Sequence, residues 1–278
     1  MRDLDKKTAV VVGAGSGIGR ATAAALARRG MRIAVGDIDD AAARETAETI
    51  AALGCDASSH RIDVGDAEQL RQMVDAVIAA YGAVDVVVNT VGIAPRALPL
   101  IDVPRAEFEH VVRVNFWGVV NTSLAFLPHL LTRPCANLVN VVSYAGLIGV
   151  PRFGTYAVSK FACRGFLETL QMELHGTAVT VTAVYPGATR TNMFRNSPLL
   201  GERQRKALQR NLDRTPALAP DRVAEKIVRG IRRDRLRVRT GPDAVAVDLL
   251  TRTLAGGYPR LLATPFERYT GTVLDTGE

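Results

Sequence analysis

Residues Thr8 to Gly30 read TAVVVGAGSGIGRATAAALARRG. TAVVV is a β-branched apolar run of the length and kind found in a strand buried on both faces. RATAAALARRG is rich in good helix formers and ends in basic residues. Between them lies GAGSGIG. Strand, glycine turn and helix, in that order, gather backbone N–H groups and the positive end of a helix dipole around a phosphate. Gly13 lets the turn tighten, Gly17 lets backbone approach a pyrophosphate, and Gly19 lets helix and strand pack closely. Ser16 and Ile18, set between these glycines, complete the candidate cradle. The spacing is G-x-x-x-G-x-G, although Gly13 and Gly15 mimic the start of G-x-G-x-x-G.

The same alternation continues along the chain. RIAVGD ends at Asp37, about twenty residues past the glycines, where a carboxylate can accept from the hydroxyls of an adenosine ribose. The plainer alternative is that Asp37 caps the helix DDAAARETAETIAAL that follows. A poorly defined third strand is expected to end at Asp63-Val64. The helix AEQLRQMVDAVIAAYG and a fourth strand, VDVVVN, ending at Asn89, come next. Strands alternating with amphipathic helices predict an α/β fold, and right-handed crossovers make it a doubly wound parallel sheet.

A second informative stretch is SYAGLIGVPRFGTYAVSK, Ser143 to Lys160. Tyr156 and Lys160 are four residues apart in a segment that reads on as helix through FACRGFLETLQMEL, so both project from one face. An ammonium held near a phenol favours the phenolate, which lets the phenol serve as acid or base closer to neutrality. Ser143 follows the strand-like NLVNVV and so sits at a strand's carboxyl end, where open parallel sheets place their ligands.

Composition bounds the remaining possibilities. The 278 residues are 47% hydrophobic and 23% charged, as in an ordinary globular protein. The net charge is +7, with a pI near 9.7. Much of the excess lies in RGIRRDRLRVR, whose end alternates. Leu236 and Val238 are expected on a buried face, and Arg235, Arg237 and Arg239 on a charged outer one. No nucleic-acid-binding motif accompanies this basic run, so nucleic acid is not an expected partner. Cys55, Cys135 and Cys163 fit neither a disulfide framework nor a zinc site. His60, His110, His129 and His175 show no ligand spacing, so no metal is expected. MRDLDKK is not a signal peptide, no apolar run is long enough to span a membrane, and a cytoplasmic location is the expectation.

The chain resembles the short-chain dehydrogenase/reductases from about Thr8 to Asn192. The resemblance is carried by GAGSGIG, by Asp63-Val64, by NTVG at Asn89 to Gly92, and by Asn115 in VRVNFWG. Ser143, Tyr156 with Lys160, and YPGATRT at Tyr185 to Thr191 complete it. Two departures are visible: N-T-V-G stands for the usual N-N-A-G, and Val12 stands where a Thr usually precedes the first glycine. The resemblance implies a Rossmann-like fold and an NAD(P)-dependent oxidoreductase acting on an alcohol or ketone. It makes Tyr156 the proton donor and acceptor, and Lys160 the holder of the nicotinamide ribose. Ser143 becomes the partner of the substrate oxygen. Asn115 is placed at a helix irregularity, holding a water that links Lys160 to solvent. The implied cofactor contacts are Gly13, Ser16, Gly17, Ile18, Gly19, Asp37, Asp63, Val64, Asn89 and Gly92. Tyr156, Lys160, Pro186, Gly187, Thr189 and Thr191 complete them. NAD is expected over NADP because Asp37 opposes a 2′-phosphate and the neighbouring Ser16 and Ile38 are neutral, with Arg20 the open question. Two other classes stay open: a relative using Tyr156 for dehydration or epimerisation, and a dinucleotide-binding sensor without turnover.

The resemblance also implies a homodimer or homotetramer formed by the helices around Asn115 and Tyr156, with Phe161 and Leu170 at that surface. Phe116 and Trp117 are expected to pack within the helices. One domain is expected over residues 1–278. Within it, residues 190–218 form a substrate lid carrying Met193, Phe194, Leu199 and Leu200, and 243–278 form a C-terminal extension. In that extension DAVAVDLLTRTLAG should be a helix with Val247, Leu250 and Leu254 on one stripe. The last few residues are expected to be disordered. The apolar lid residues suggest a lipophilic substrate.

Overall fold

The structure is a computed structural model and describes residue 1 and residues 3–271. The final residues expected to be disordered lie outside this range. Seven parallel strands form one sheet in the order β3-β2-β1-β4-β5-β6-β7. They are β1 (Thr8–Val12), β2 (Arg32–Asp37), β3 (Ala57–Arg61), β4 (Val86–Asn89), β5 (Ala136–Val141), β6 (Val179–Pro186) and β7 (Arg237–Thr240). The helices are α1 (Gly17–Ala27), α2 (Asp40–Ala51), α3 (Ala67–Tyr81), α4 (Arg105–Val112), α5 (Gly118–Leu131) and α6 (Gly154–Glu173). They continue as α7 (Met193–Asn196), α8 (Glu202–Arg214), α9 (Pro220–Arg232), α10 (Pro242–Thr253) and α11 (Tyr258–Gly271).

Valine runs in the central strands serve both faces of the sheet, because alternate side chains point to opposite sides. Val11, Ile33, Val88 and Val139 pack with α1, α2 and α9. Val10, Val12, Val87 and Leu138 pack with α3, α5 and α6. Each such fully buried side chain contributes about 1.5–3 kcal/mol relative to exposure. The strand order reverses beside β1, where β4 pairs on the side opposite β2. Val12 lies level with Gly36 on one neighbour and Asn89 on the other. The loops after β1, β2 and β4 therefore open together at the carboxyl edge, where a doubly wound sheet forms its ligand crevice.

Several details differ from the sequence reading. β3 ends at Arg61, and Asp63-Val64 lie in the turn before α3. Leu236 precedes β7 and is exposed. Val238 is buried and Arg239 exposed, as the alternation predicts, but Arg237 and Arg239 also converge on the buried Asp248 of α10, at 2.5 and 2.8 Å. Of the stripe expected on α10, Val247 packs against the core and Leu250 is partly buried, while Leu254 is exposed; the fully buried residues are Ala244 and Asp248. Leu170 belongs to the buried core rather than a surface. Phe116 packs against that core, but Trp117 is half exposed.

Candidate active site

A cleft of about 820 Å³ runs along the carboxyl edge of the sheet, from Asp37 and Ile38 at one end to Phe194 and Leu212 at the other. Its floor is the turn after β1. Gly13 and Gly17 take positive φ, +77° and +54°, a region that other residues enter only with strain. A Cβ on Gly19 would lie 2.1 Å from the Gly13 carbonyl oxygen, so helix and turn could not approach as they do. α1 begins at Gly17 with no side-chain hydrogen bond from Ser16 to its first N–H groups and no acidic residue in its first turn. By contrast, Asp39 caps α2 and Asp66 caps α3. A helix N-terminus left open behind a glycine cradle fits a phosphate-bearing ligand.

Asp37 does not cap α2, since Asp39 does. The Asp37 carboxylate accepts from the Gly15 N–H at 2.7 Å and from the Asp39 N–H at 3.1 Å, and it lines the cleft. Arg20 turns away along α1. Its guanidinium donates to the Gly15 carbonyl at 2.6 and 3.0 Å and pairs with Glu45 at 2.8 Å. Arg61, the register partner of Asp37 on β3, does not line the cleft either. Asp63 and Val64 do, with Asp63 held by the Gly65 N–H and paired with Arg113 at 3.3 Å.

Of the expected cofactor residues, Asn89 is the exception. It is buried, and its side chain accepts from the Val91 N–H and donates to the Gly118 carbonyl, so it shapes the β4 loop without lining the cleft. The two departures from the usual motifs meet each other. The Thr90 hydroxyl donates to the Val12 and Gly13 carbonyls at 2.9 and 3.0 Å, pinning the first glycine turn from β4.

Tyr156 and Lys160 lie on α6, with the Lys160 Nζ 5.6 Å from the Tyr156 ring centroid. Lys160 is buried and donates to the Val91 and Val141 carbonyls at 3.3 and 3.4 Å. Carbonyl dipoles offset part of the cost of burying the ammonium. Gly92 passes directly over it, since a Cβ there would lie 3.3 Å from Nζ. Ser143 has φ +137° and ψ +159°, a backbone region used almost solely by glycine and costing about 1–3 kcal/mol. In that geometry Ser143 Oγ accepts from the Ala145 N–H at 3.2 Å and keeps its own proton to donate. Asn115 is buried in a single π-helical turn, Arg113–Trp117, joining α4 to α5. Its side chain accepts from the Ile93 N–H and donates to the Ile93 carbonyl and the Ser159 hydroxyl. Its main-chain oxygen accepts from Cys163, whose thiol burial pushes above its ordinary pKa.

At the other end of the cleft, Phe153 of the segment before α6 meets Phe194 of α7, ring centroids 6.3 Å apart. Met193, Leu208 and Leu212 complete an apolar wall. Leu199 and Leu200 do not reach the cleft, and Leu200 is buried with Ala94, Ala97 and Ala207. Phe153 and the pair Leu208 and Leu212, one helical turn apart in α8, are wall residues absent from the sequence reading. For the α8 pair, the i, i+4 spacing in ERQRKALQRNLDR is the signal that could have located them. His110 also lines the cleft, near Arg113 and away from Tyr156 in sequence and element. Among the described residues no group of His, Cys, Asp and Glu could hold a metal ion, and no helix is long and apolar enough to cross a membrane.

The family model described as short chain dehydrogenase matches residues 7–199. A protein of Mycobacterium tuberculosis named as the oxidoreductase SadH is 38% identical over 275 residues, 97% of this chain and 98% of that protein. A short-chain dehydrogenase/reductase of Burkholderia phymatum, solved in complex with NAD, is 31% identical. Its TM-score is 0.84, over 91% of this chain and 95% of that one. An alcohol dehydrogenase of Thermococcus sibiricus, solved with 5-hydroxy-NADP, is 29% identical at a TM-score of 0.71, over 84% of this chain and 94% of that one.

Proposed function

This chain belongs to the short-chain dehydrogenase/reductase family, and from that premise we propose that it is an NAD(H)-dependent oxidoreductase of lipophilic secondary alcohols or ketones. The observation that carries the reading is the convergence of Ser143, Tyr156 and buried Lys160 on one cleft, between its glycine-turn end and its apolar end. Gly13 to Gly19 and the open start of α1 would hold the pyrophosphate, Asp37 the adenosine ribose, and Lys160 the nicotinamide ribose. The bound nicotinamide supplies or accepts the hydride.

The chain itself manages the proton. Ser143 donates its free hydroxyl proton to the substrate oxygen and orients it. The Tyr156 hydroxyl gives that oxygen a proton in reduction and takes one in oxidation. Lys160, a buried cation with no carboxylate partner among the described ion pairs, opposes the charge that develops on the Tyr156 oxygen. Asn115 clamps both backbone groups of Ile93, which keeps the segment beside Lys160 in place.

Residues 190–218 act as a lid over the substrate, with Met193, Phe194, Leu208 and Leu212 facing inward. The apolar lining supports the lipophilic substrate class, and the similarity to the Thermococcus sibiricus alcohol dehydrogenase supports the reacting group. The test is a panel of secondary alcohols and ketones followed by reduced-nicotinamide absorbance. Stoichiometric oxidation or reduction with at least one apolar member is expected, and dinucleotide binding with no turnover across the panel would remove the reading. Exposed apolar residues on α5 and α6, Leu124, Val158 and Phe161 among them, support a homodimer or homotetramer, which sedimentation would count.

A further inference from the structure

The loop after β6 is held from far along the chain. Asp243, in the first turn of α10, accepts from the Ala188 N–H through Oδ2 at 2.6 Å. Its Oδ1 lies where side chains would begin on two glycines. A Cβ on Gly187 would stand 1.9 Å from it, and one on Gly241 2.3 Å. The carboxylate therefore fills the gap between two backbone segments that approach within contact distance only because both are glycine. The Gly187 N–H donates in turn to the Thr240 carbonyl at 2.8 Å, joining the loop to the end of β7. Gly187, Ala188 and Thr189 line the cleft, whereas Asp243 stands behind them.

The helix that carries this carboxylate is itself anchored. Asp248, buried further along α10, receives Arg237 and Arg239 from β7 and Arg252 from its own helix. Charge-assisted hydrogen bonds of this kind are shorter and stronger than neutral ones, and a carboxylate in the first turn is favoured by the helix dipole. α10 thus bridges the last strand and the cleft-lining loop.

We propose that Asp243 is a positioning residue for the dinucleotide, fixing the Gly187–Thr189 backbone in its binding shape before the ligand arrives. This rests on the dinucleotide reading of the cleft. Order established in advance is order that binding need not impose, so affinity depends on a side chain that never touches the ligand. The measurements are NADH dissociation constants by titration and exchange of the Ala188 amide proton in the dinucleotide-free protein. Asp243→Ala should weaken NADH binding about ten- to hundredfold and speed Ala188 exchange. Asp243→Asn, which keeps the size and one acceptor oxygen, should lose severalfold. Gly187→Ala should be harmful alone, because its Cβ meets the carboxylate. In the Asp243→Ala background it should cost little more, since the space is then free.

An Asp243→Ala protein that binds NADH as wild type does, or two substitutions whose effects simply add, overturns the proposal. So does a variant that melts earlier yet binds normally when folded, which is what a purely structural role gives. Where the alanine variant does not fold, unchanged affinity and Ala188 exchange in Asp243→Asn overturn it. Wild-type protein that binds neither NADH nor NADPH brings down the dinucleotide reading and this proposal together. Normal wild-type binding with an indifferent Asp243 removes this proposal alone.

Discussion

The two ends of the cleft are built differently. The end at Gly13 to Asp37 is mostly backbone, held by groups of the first two βα units: the Gly13 N–H on the Gly36 carbonyl, the Gly15 N–H on Asp37, and Arg20 on the Gly15 carbonyl. From further away, Thr90 pins the turn and Thr191 stands against Gly17. The other end is mostly side chain, assembled from the β5 loop, α6, α7 and α8. Backbone contacts read what all dinucleotides share. Side-chain walls read what distinguishes one substrate from the next. The difference implies that binding of the dinucleotide and chemistry on the substrate can be separated by mutation.

The largest expected effect tests that separation directly. Tyr156→Phe keeps the ring and removes the transferable proton, so turnover should fall by several orders of magnitude while NADH affinity stays within a few-fold. Lys160→Ala should damage both, because Lys160 stands between the two ends. Steady-state kinetics paired with NADH titration makes the comparison. A Tyr156→Phe protein retaining more than about a tenth of wild-type turnover would show that the proton moves elsewhere.

The same division governs what the sequence reveals. TAVVV, RIAVGD and AEQLRQMVDAVIAAY form the expected elements because their valine runs, periodicity and flanking caps are local signals. The glycine turn is legible for the same reason. Asp243 is not: in sequence it is one more acidic residue opening a helix, and its partner Ala188 lies 55 residues away. Arg237 and Arg239 alternate with Val238 as an exposed edge would. Only the fold shows that Asp248 waits beneath them. Thr90 reads as a deviation until Val12 and Gly13 are seen beside it. Spacing carries chemistry that is local, whereas a contact between distant segments leaves no mark in either of them.

The second effect sharpens the dinucleotide end. Asp37 is fixed by two backbone N–H groups, and the nearest cation on α1, Arg20, is committed to Gly15 and Glu45. A 2′-phosphate would therefore meet a carboxylate without a compensating charge. One unit of like charge at about 4 Å costs about 1 kcal/mol in water-like surroundings and about 4 kcal/mol at an effective dielectric of 20. The expected preference for NAD is therefore about fivefold to a thousandfold, and Asp37→Ala should largely abolish it. kcat/KM for both dinucleotides with one substrate measures it. Wild type preferring NADP, or a ratio unmoved by the substitution, would break the assignment.

The smallest effect per step belongs to the substrate end. If Phe153, Met193, Phe194, Leu208 and Leu212 wall a lipophilic site, each methylene added to a ketone should gain about 0.8 kcal/mol until the wall is covered. That is about fourfold in kcat/KM per carbon, followed by a plateau. Leu208→Ala tests the location as well as the trend. Leu208 lines the cleft from α8 and is itself buried, so truncating it removes wall area that only longer substrates reach. The variant should match wild type on the shortest ketones and fall behind on the longer ones, with NADH affinity unchanged. A series that is flat in wild type removes the lipophilic substrate. A series that climbs in both proteins alike keeps the lipophilic substrate and moves its binding wall away from α8.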